Sequence, residues 1–437
     1  MAMLRGTMSI NQKGNLEIGG VDVTKIAAEN DFPVYVIDEV LLRNNMKAYV
    51  EAFKEFYPNA SVHYASKALM CMGMCKIAES EGLGLDVVSG GELYTALKAG
   101  FPKEKIIMHG NNKSIKELEM AVENQIGRVI IDNFYEIELL SEVTKKLGKS
   151  IDVMLRIKPG IHADTHHYVT TGHEDSKFGF IIKEETAKRA VKSVVEKAGL
   201  NFKGLHMHIG SQIFDTQGYE KSIEIMADFI KELHNEGITV EEFDLGGGLG
   251  VVYTEVDDPM PVRDFVKLLV DKVKTEFSRV GLHTPKLMVE PGRSLIGEAG
   301  TTVYTIGSIT EVPGIRKYIA INGGMGDNIR PALYGSKYTA YVANKMNIEA
   351  EEVVTVAGKC CETGDILLKD IKLAEPKSGD VLAVLTTGAY NYAMASNYNR
   401  LPVPGVMLAK DGKTDWIVKP QNYEDILRND VIPERLK

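Results

Sequence analysis

From about residue 40 to about residue 300 the chain alternates two hydrophobic periods. Short β-branched or apolar runs occur at 61–65, 84–88, 105–109, 128–132, 151–157, 203–209, 241–245 and 286–290. Helical spacing fills the stretches between them. It is clearest over 262–277, where Val262, Phe265, Val266, Leu269, Val273 and Phe277 form one stripe and Lys267, Asp271, Lys272 and Lys274 fall elsewhere. Ser114 followed by Glu117 predicts a capping box that opens another helix. Eight strands alternating with helices over about 250 residues is the arithmetic of a (β/α)8 TIM-type barrel, with an open doubly wound sheet as the rival. The polar motifs decide between them. Lys67, Ser89-Gly90-Gly91, His109-Gly110-Asn111, His208, Gly246-Gly247-Gly248 and Glu290 to Arg293 all sit at or just past a strand's C-terminal end. Only a barrel gathers the first and eighth strand ends on one rim.

After residue 300 the texture changes to alternating runs, such as 302–306 and 352–356, broken by turns such as Gly323-Gly324 and Ser378-Gly379-Asp380. These predict an antiparallel β domain. Residues 8–37 read the same way, with a hairpin around Lys13-Gly14-Asn15 and a strand at Val34–Ile37. The expected organisation is therefore an α/β barrel over 38–300 and a discontinuous antiparallel β domain made from 1–37 and 301–437. Residues 164–176, rich in His and Thr, read as a lid over the rim.

Composition is that of an ordinary globular chain, and a net charge of −9 argues against a nucleic-acid-binding surface. No run of about 18 apolar residues occurs, and the first residues lack a signal-peptide pattern, so no membrane span and a cytoplasmic setting are expected. Four cysteines in 437 residues are too few for a disulfide scaffold and fit reducing surroundings.

The chemistry is concentrated in three places. Lys67 follows an apolar strand, where partial desolvation makes an amine nucleophilic. Glu290 and Arg293 follow the last barrel strand, as an acid that can hold a pyridine nitrogen protonated and a cation for a phosphate. The three glycines at 246–248 can bring bare backbone N–H groups to that phosphate, and the loops after strands seven and eight are the usual place for one. They do not fit G-x-G-x-x-G, and no P-loop occurs, so nucleotide readings lose support. His206, His208, Cys71 and Cys75 complete no tetrahedral spacing, and no metal is expected. Together these groups point to a pyridoxal-phosphate enzyme, with His208 stacking on the cofactor and Ser211 offering a hydroxyl to its phosphate.

Nine motifs in one order carry a more specific resemblance: YASKAL (64–69), SGGEL (89–93), DSKFGF (175–180), HMHIGSQ (206–212), DLGGGLG (244–250), EPGRS (290–294), IRPALYG (329–335), CETGD (361–365) and GAYNYAMASNYNR (388–400). The chain resembles the fold-type III pyridoxal-phosphate decarboxylases, and within them the diaminopimelate decarboxylase family, over essentially its whole length. That resemblance implies a carboxy-lyase that makes L-lysine and CO2 from meso-2,6-diaminopimelate, the last step of lysine biosynthesis. It implies that Lys67 binds the cofactor covalently, Glu290 pairs with its ring nitrogen and His208 stacks on the ring. Ser211, Gly247, Gly248 and Tyr390 would hold the phosphate, with Arg293 serving phosphate, substrate or both. Arg330 and Tyr334 match the residues that grip the distal carboxylate, beside Tyr390. Cys361 and Glu362 match a pair inserted from the neighbouring subunit of a homodimer with shared sites. Cys361, or a water it orders, is then the proton donor to Cα, with Lys67 the alternative. The pattern departs from the family's commoner residues at Ser66, Leu69, Thr363 and 324–328, which bears on substrate tuning. The competing readings are a related decarboxylase of D-lysine, D-ornithine, arginine or a carboxylated polyamine, and a non-catalytic pyridoxal-phosphate-binding protein.

Overall fold

In the computed structural model, which describes residues 3–160 and 176–437, the chain divides into two compact units. One comprises 43–251 and 258–295, and the other 1–42, 252–257 and 296–437. The expected lid at 164–176 lies, apart from Ser176, outside the described residues.

The first unit is a closed barrel. Its parallel strands are β1 (Ala60–Ala65), β2 (Gly84–Val87), β3 (Ile106–Met108), β4 (Arg128–Ile131), β5 (Ile151–Lys158), β6 (Leu200–His206), β7 (Glu242–Asp244) and β8 (Lys286–Val289). Each pairs with the next, and β8 returns to β1 through Leu287 opposite Ala60 and Val289 opposite Val62. A short extra strand, Phe180–Ile181, lengthens the sheet beside β5. The closed ring excludes the open sheet. Strand β6 begins earlier than its β-branched run predicts, because Leu200 to Phe202 pair with β5 before a register shift at Phe202/Gly204.

Side chains fill the barrel interior as a layer would require, with Ile107, Ile130, Met154 and Met288 forming one buried cluster. The N-terminal end carries ions instead. Arg128 at the start of β4 grips Glu242 at the start of β7 through two 2.7 Å bonds, and Asp152 and Lys286 join them. Outside, the helix Val262–Arg279 buries Phe265, Val266, Leu269, Val273 and Phe277 of the stripe its sequence marks out, with Val270 and Glu276 added and Val262 only half-buried. Ser114 and Glu117 form the capping box at the start of Ile115–Asn124. The same Glu117 also accepts from the N–H of Gly90 at 2.6 Å, which ties two rim turns together.

The second unit contains a small antiparallel sheet and a larger mixed one. The small sheet joins Ser9–Ile10, Leu16–Ile18 and Val21–Asp22, with the turn at 13–15 where the hairpin was read. In the larger sheet Gly300–Val312 pairs antiparallel with Val34–Asp38, Arg316–Ile321 and Val381–Leu385. Two pairings are parallel: Val34–Asp38 with Gly405–Lys410, and Arg316–Ile321 with Glu352–Ala357. Alternation along a strand records which face is buried but not the direction of its neighbour, so only antiparallel pairing was legible there. Leu16, Ile18, Val34, Val36, Val303, Ala383, Leu385 and Met407 share one core, which binds the N-terminal arm to the strands after residue 300.

Candidate active site

Lys67 lies on the short 3-10 turn Ser66–Ala68 directly after β1. Its Nζ is 3.8 Å from Asp86 Oδ2, and its side chain is 42% exposed, reachable by a cofactor yet anchored at one side. The turn is held from beneath, because Ser66 Oγ donates to the Asp86 carbonyl at 2.6 Å. Asp86 comes from β2 and is fully buried, and neither of its carboxylate oxygens has a hydrogen-bond partner among the described residues. Burial pushes its carboxyl up to about 6, against the pull of His109 and Lys67.

Glu290 follows β8 and faces inward from the rim, buried. His109 Nε2 lies 2.5 Å from its Oε1, and His206 Nε2 3.1 Å from its Oε2. The two imidazoles meet edge to face, with centroids 4.7 Å apart. Burial alone would raise the carboxyl, but the two histidines outweigh it and hold it well below the usual range. Both histidines are themselves lowered by burial, against the pull of Glu290. These three side chains could also present ligand atoms to a metal, since those atoms lie within 4.8 Å of one another. Here they are hydrogen-bonded to each other. Asp244, at the end of β7, is a second buried carboxyl, raised well above its usual range by burial and by Glu290.

The loops after β6, β7 and β8 build an anion cradle. Arg293 Nη2 donates to Ser211 Oγ at 3.0 Å. Gly246 is fixed by Asp244 Oδ1, which accepts its N–H at 2.8 Å, and Tyr219 Oη donates to the Gly247 carbonyl at 3.0 Å. Glycine is required here. A Cβ on Gly247 would stand 2.2 Å from the Glu290 carbonyl oxygen, and Gly248 has φ +128° with the Gly210 carbonyl 2.4 Å from where its Cβ would be. His208 stands beside this loop and accepts from the Gly247 N–H through Nδ1 at 3.4 Å. Burial, then the charges of Lys67 and Arg156, hold its ring neutral. The barrel thus brings together Lys67, His208, Ser211, Gly247, Gly248, Glu290 and Arg293. An amine, an imidazole, a carboxylate and an Arg-lined cradle of close-packed glycines fit pyridoxal phosphate. The unpartnered oxygens of Asp86 beside the lysine agree with a polar group that bonds there.

Two residues of this site carry no motif. Asp86 sits within the apolar strand β2, and Arg156 lies on β5 with its guanidinium 4.4 Å from the centroid of Phe178. An ionisable residue inside a buried parallel strand is the signal that finds them.

The second unit holds the other expected residues. Arg330 opens the helix Arg330–Tyr334 and is buried. Its Nε donates to Tyr338 Oη at 3.0 Å, and its guanidinium lies 5.2 Å from the ring centroid of Tyr334 and 5.8 Å from that of Tyr390. Its nearest titratable neighbours among the described residues are tyrosine hydroxyls, neutral at pH 7, with no carboxylate in ion-pair range. Tyr390 has the left-handed φ of +64°, a strained geometry for an aromatic residue. Cys361 and Glu362 are exposed at the tip of a turn, whereas Cys360 beside them is buried. That turn is pinned by Asp365, whose Oδ2 accepts the Cys360 N–H at 2.8 Å and whose Oδ1 accepts the Met325 N–H at 2.6 Å.

A family model for the pyridoxal binding domain of pyridoxal-dependent decarboxylases matches residues 43–297, and the chain belongs to that family. Within it, the chain is similar to diaminopimelate decarboxylases. The Bacillus subtilis (strain 168) enzyme is 50% identical, with 98% of each chain covered. The Mycobacterium tuberculosis (strain CDC 1551 / Oshkosh) enzyme is 38% identical, with 96% of each covered. Among solved structures, a diaminopimelate decarboxylase from M. jannaschii in co-complex with L-lysine superposes with a TM-score of 0.91 at 34% identity, covering 99% of each chain.

Proposed function

We propose that this protein decarboxylates meso-2,6-diaminopimelate to L-lysine and CO2, as the named activity of its relatives supports, and that the residues above do the work. The observation that carries the choice of substrate is Arg330: a buried guanidinium with three tyrosines around it and no carboxylate partner among the described residues. A buried cation without a counter-ion is costly, and a ligand carboxylate meets it with two parallel hydrogen bonds. Lysine, ornithine and other substrates with no distal carboxylate would leave it unmet.

When bound, pyridoxal phosphate supplies an electron sink for the pair left on Cα as CO2 departs. Lys67 holds the cofactor through its amine, and Asp86 keeps that amine placed. Glu290 holds a proton on the ring nitrogen, and His208 covers one face of the ring and shields it from water. Ser211, Gly247, Gly248 and Arg293 receive the phosphate dianion, with Tyr390 as a further hydroxyl donor. Arg330 and Tyr334 orient the far carboxylate, and Glu362 takes the far ammonium. Cys361 returns the proton to Cα. Cys361 and Glu362 belong to the site of a second copy in a homodimer, which their exposure supports, and the protein works in the cytoplasm.

The test is CO2 release by cofactor-loaded protein offered meso-diaminopimelate beside L-lysine, D-lysine, D-ornithine and arginine. Release from diaminopimelate alone, with L-lysine as product, is expected. Equal release from any substrate without a second carboxylate would overturn the reading of Arg330.

A further inference from the structure

Glu290 is useful to a pyridine nitrogen only as an anion, and its ion-pair contacts are with two imidazoles, His109 and His206. The groups that face it are His63 and Lys67 from β1 and the turn after it, Asp86 from β2, His109 from the end of β3, Arg156 from β5, His206 and His208 from β6 and the loop after it, and Asp244 from β7. Two of these are carboxyls, and both are raised by burial and by Glu290, with Asp244 also hydrogen-bonded to it. Direct hydrogen bonds come from the two histidines, one to each oxygen, at 2.5 and 3.1 Å. Each carboxylate oxygen has two acceptor positions, so these two bonds alone do not exhaust what Glu290 can accept.

We propose that His109 and His206 are positioning residues which, as neutral Nε2–H donors, cap both oxygens of Glu290 and keep it ionised for the cofactor's ring nitrogen. The proposal rests on the reading of Glu290 as the ring-nitrogen partner. His206 shows which form is present. Its Nδ1 is buried and has no hydrogen-bond partner among the described residues, so a proton there would be an unsatisfied donor, whereas a bare lone pair costs less. With Nδ1 bare, the imidazole is neutral and its remaining proton sits on Nε2, aimed at Glu290. The edge-to-face contact of the rings holds the two planes against each other, each with its Nε2 toward its own oxygen of Glu290. Neutral donors suit this place better than cations would. A formal positive charge would neutralise Glu290 and compete with the pyridinium for it, whereas a neutral N–H stabilises the carboxylate and leaves its charge directed at the ring. This arrangement treats the histidines as metal sites treat the partners behind a ligand, where loss typically costs about 10- to 100-fold.

The experiment uses holoenzyme loaded with pyridoxal phosphate labelled with 15N in the ring, and reads the ring-nitrogen chemical shift from pH 6 to 9. Wild type is expected to show a protonated ring nitrogen throughout. Double replacement His109→Leu and His206→Leu should bring its deprotonation into that range and lower kcat by about 10- to 100-fold with a smaller change in KM. His206→Gln, which keeps an N–H donor, should restore most of the shift. Glu290→Gln separates the two ideas. If it fails to move the signal, Glu290 is not the ring's partner. If it moves the signal and the histidine variants do not, the histidines merely pack, and the proposal is overturned. Should the leucine variants not fold, the imidazole 15N shifts of wild-type His109 and His206 decide. Protonation only at Nε2 across this range is expected, and an imidazolium below pH 7 at either ring refutes the cap.

Discussion

The proposed choice of substrate turns on a single guanidinium. Arg330 is buried, holds Tyr338 Oη at 3.0 Å and lies over two further tyrosine rings, so its planar fork is preorganised for a carboxylate. Replacing it by Ala leaves the catalytic lysine and the cofactor cradle untouched. The expected outcome is a fall in kcat/KM for diaminopimelate of about 10³- to 10⁴-fold, with unchanged cofactor absorbance, because a site built to bond a group loses that much when the bond is gone. An unaltered kcat/KM would remove Arg330 from substrate recognition. At this scale, Lys67, Glu290, Arg293 and the glycines were legible because each follows an apolar strand and so must sit on the barrel's rim. Asp86, Arg156 and the pairing of His109 with Glu290 were not. Their roles arise only when closure brings β2, β3, β5, β6 and β8 to one centre, and residues 109 and 290 meet by tertiary contact alone.

Between elements, the barrel separates its two ends. The C-terminal end bears the site, and the N-terminal end is closed by Arg128, Asp152, Glu242 and Lys286, which come from four strands that start together. The strand pattern foretold the eight strands because a buried parallel strand needs a continuous apolar run, but these charges at the strand starts looked like ordinary solvated positions. Burial raises the Glu242 carboxyl, and its two bonds from Arg128 outweigh that, so the folded value lies below the unfolded one. A depressed carboxyl stabilises the fold above the unfolded value of about 4.3, and that contribution is lost as pH falls through the lower folded value. Arg128→Ala, which strands the buried Glu242, is expected to cost about 3 kcal/mol at pH 7. Thermal melts between pH 7 and 3 check both points: Glu242→Gln should flatten the acid limb, whereas a limb parallel to wild type would assign the pH dependence to other carboxyls.

At the scale of the whole molecule the exposed pair Cys361 and Glu362 raises the question of which chain they serve. Asp365 holds the N–H groups of both Cys360 and Met325, and the chain runs on from Met325 to Arg330 within five residues. One carboxylate therefore braces this exposed turn together with the segment that leads to Arg330. If the turn completes the neighbour's site, activity needs two chains, and this can be read without any structure of the dimer. Lys67→Ala protein keeps the turn and loses the amine, and Cys361→Ala protein keeps the amine and loses the thiol. Each alone is expected to be nearly inactive on diaminopimelate. After exchange of subunits at equal amounts, about a quarter of wild-type activity should return, since half the dimers are mixed and each mixed dimer has one intact site. Recovery should follow the rate of exchange, and a covalent label on one variant verifies that exchange took place. A mixture with verified mixed dimers and no recovered activity would place Cys361 in the site of its own chain, and the turn braced by Asp365 would then have to serve the same subunit as Lys67.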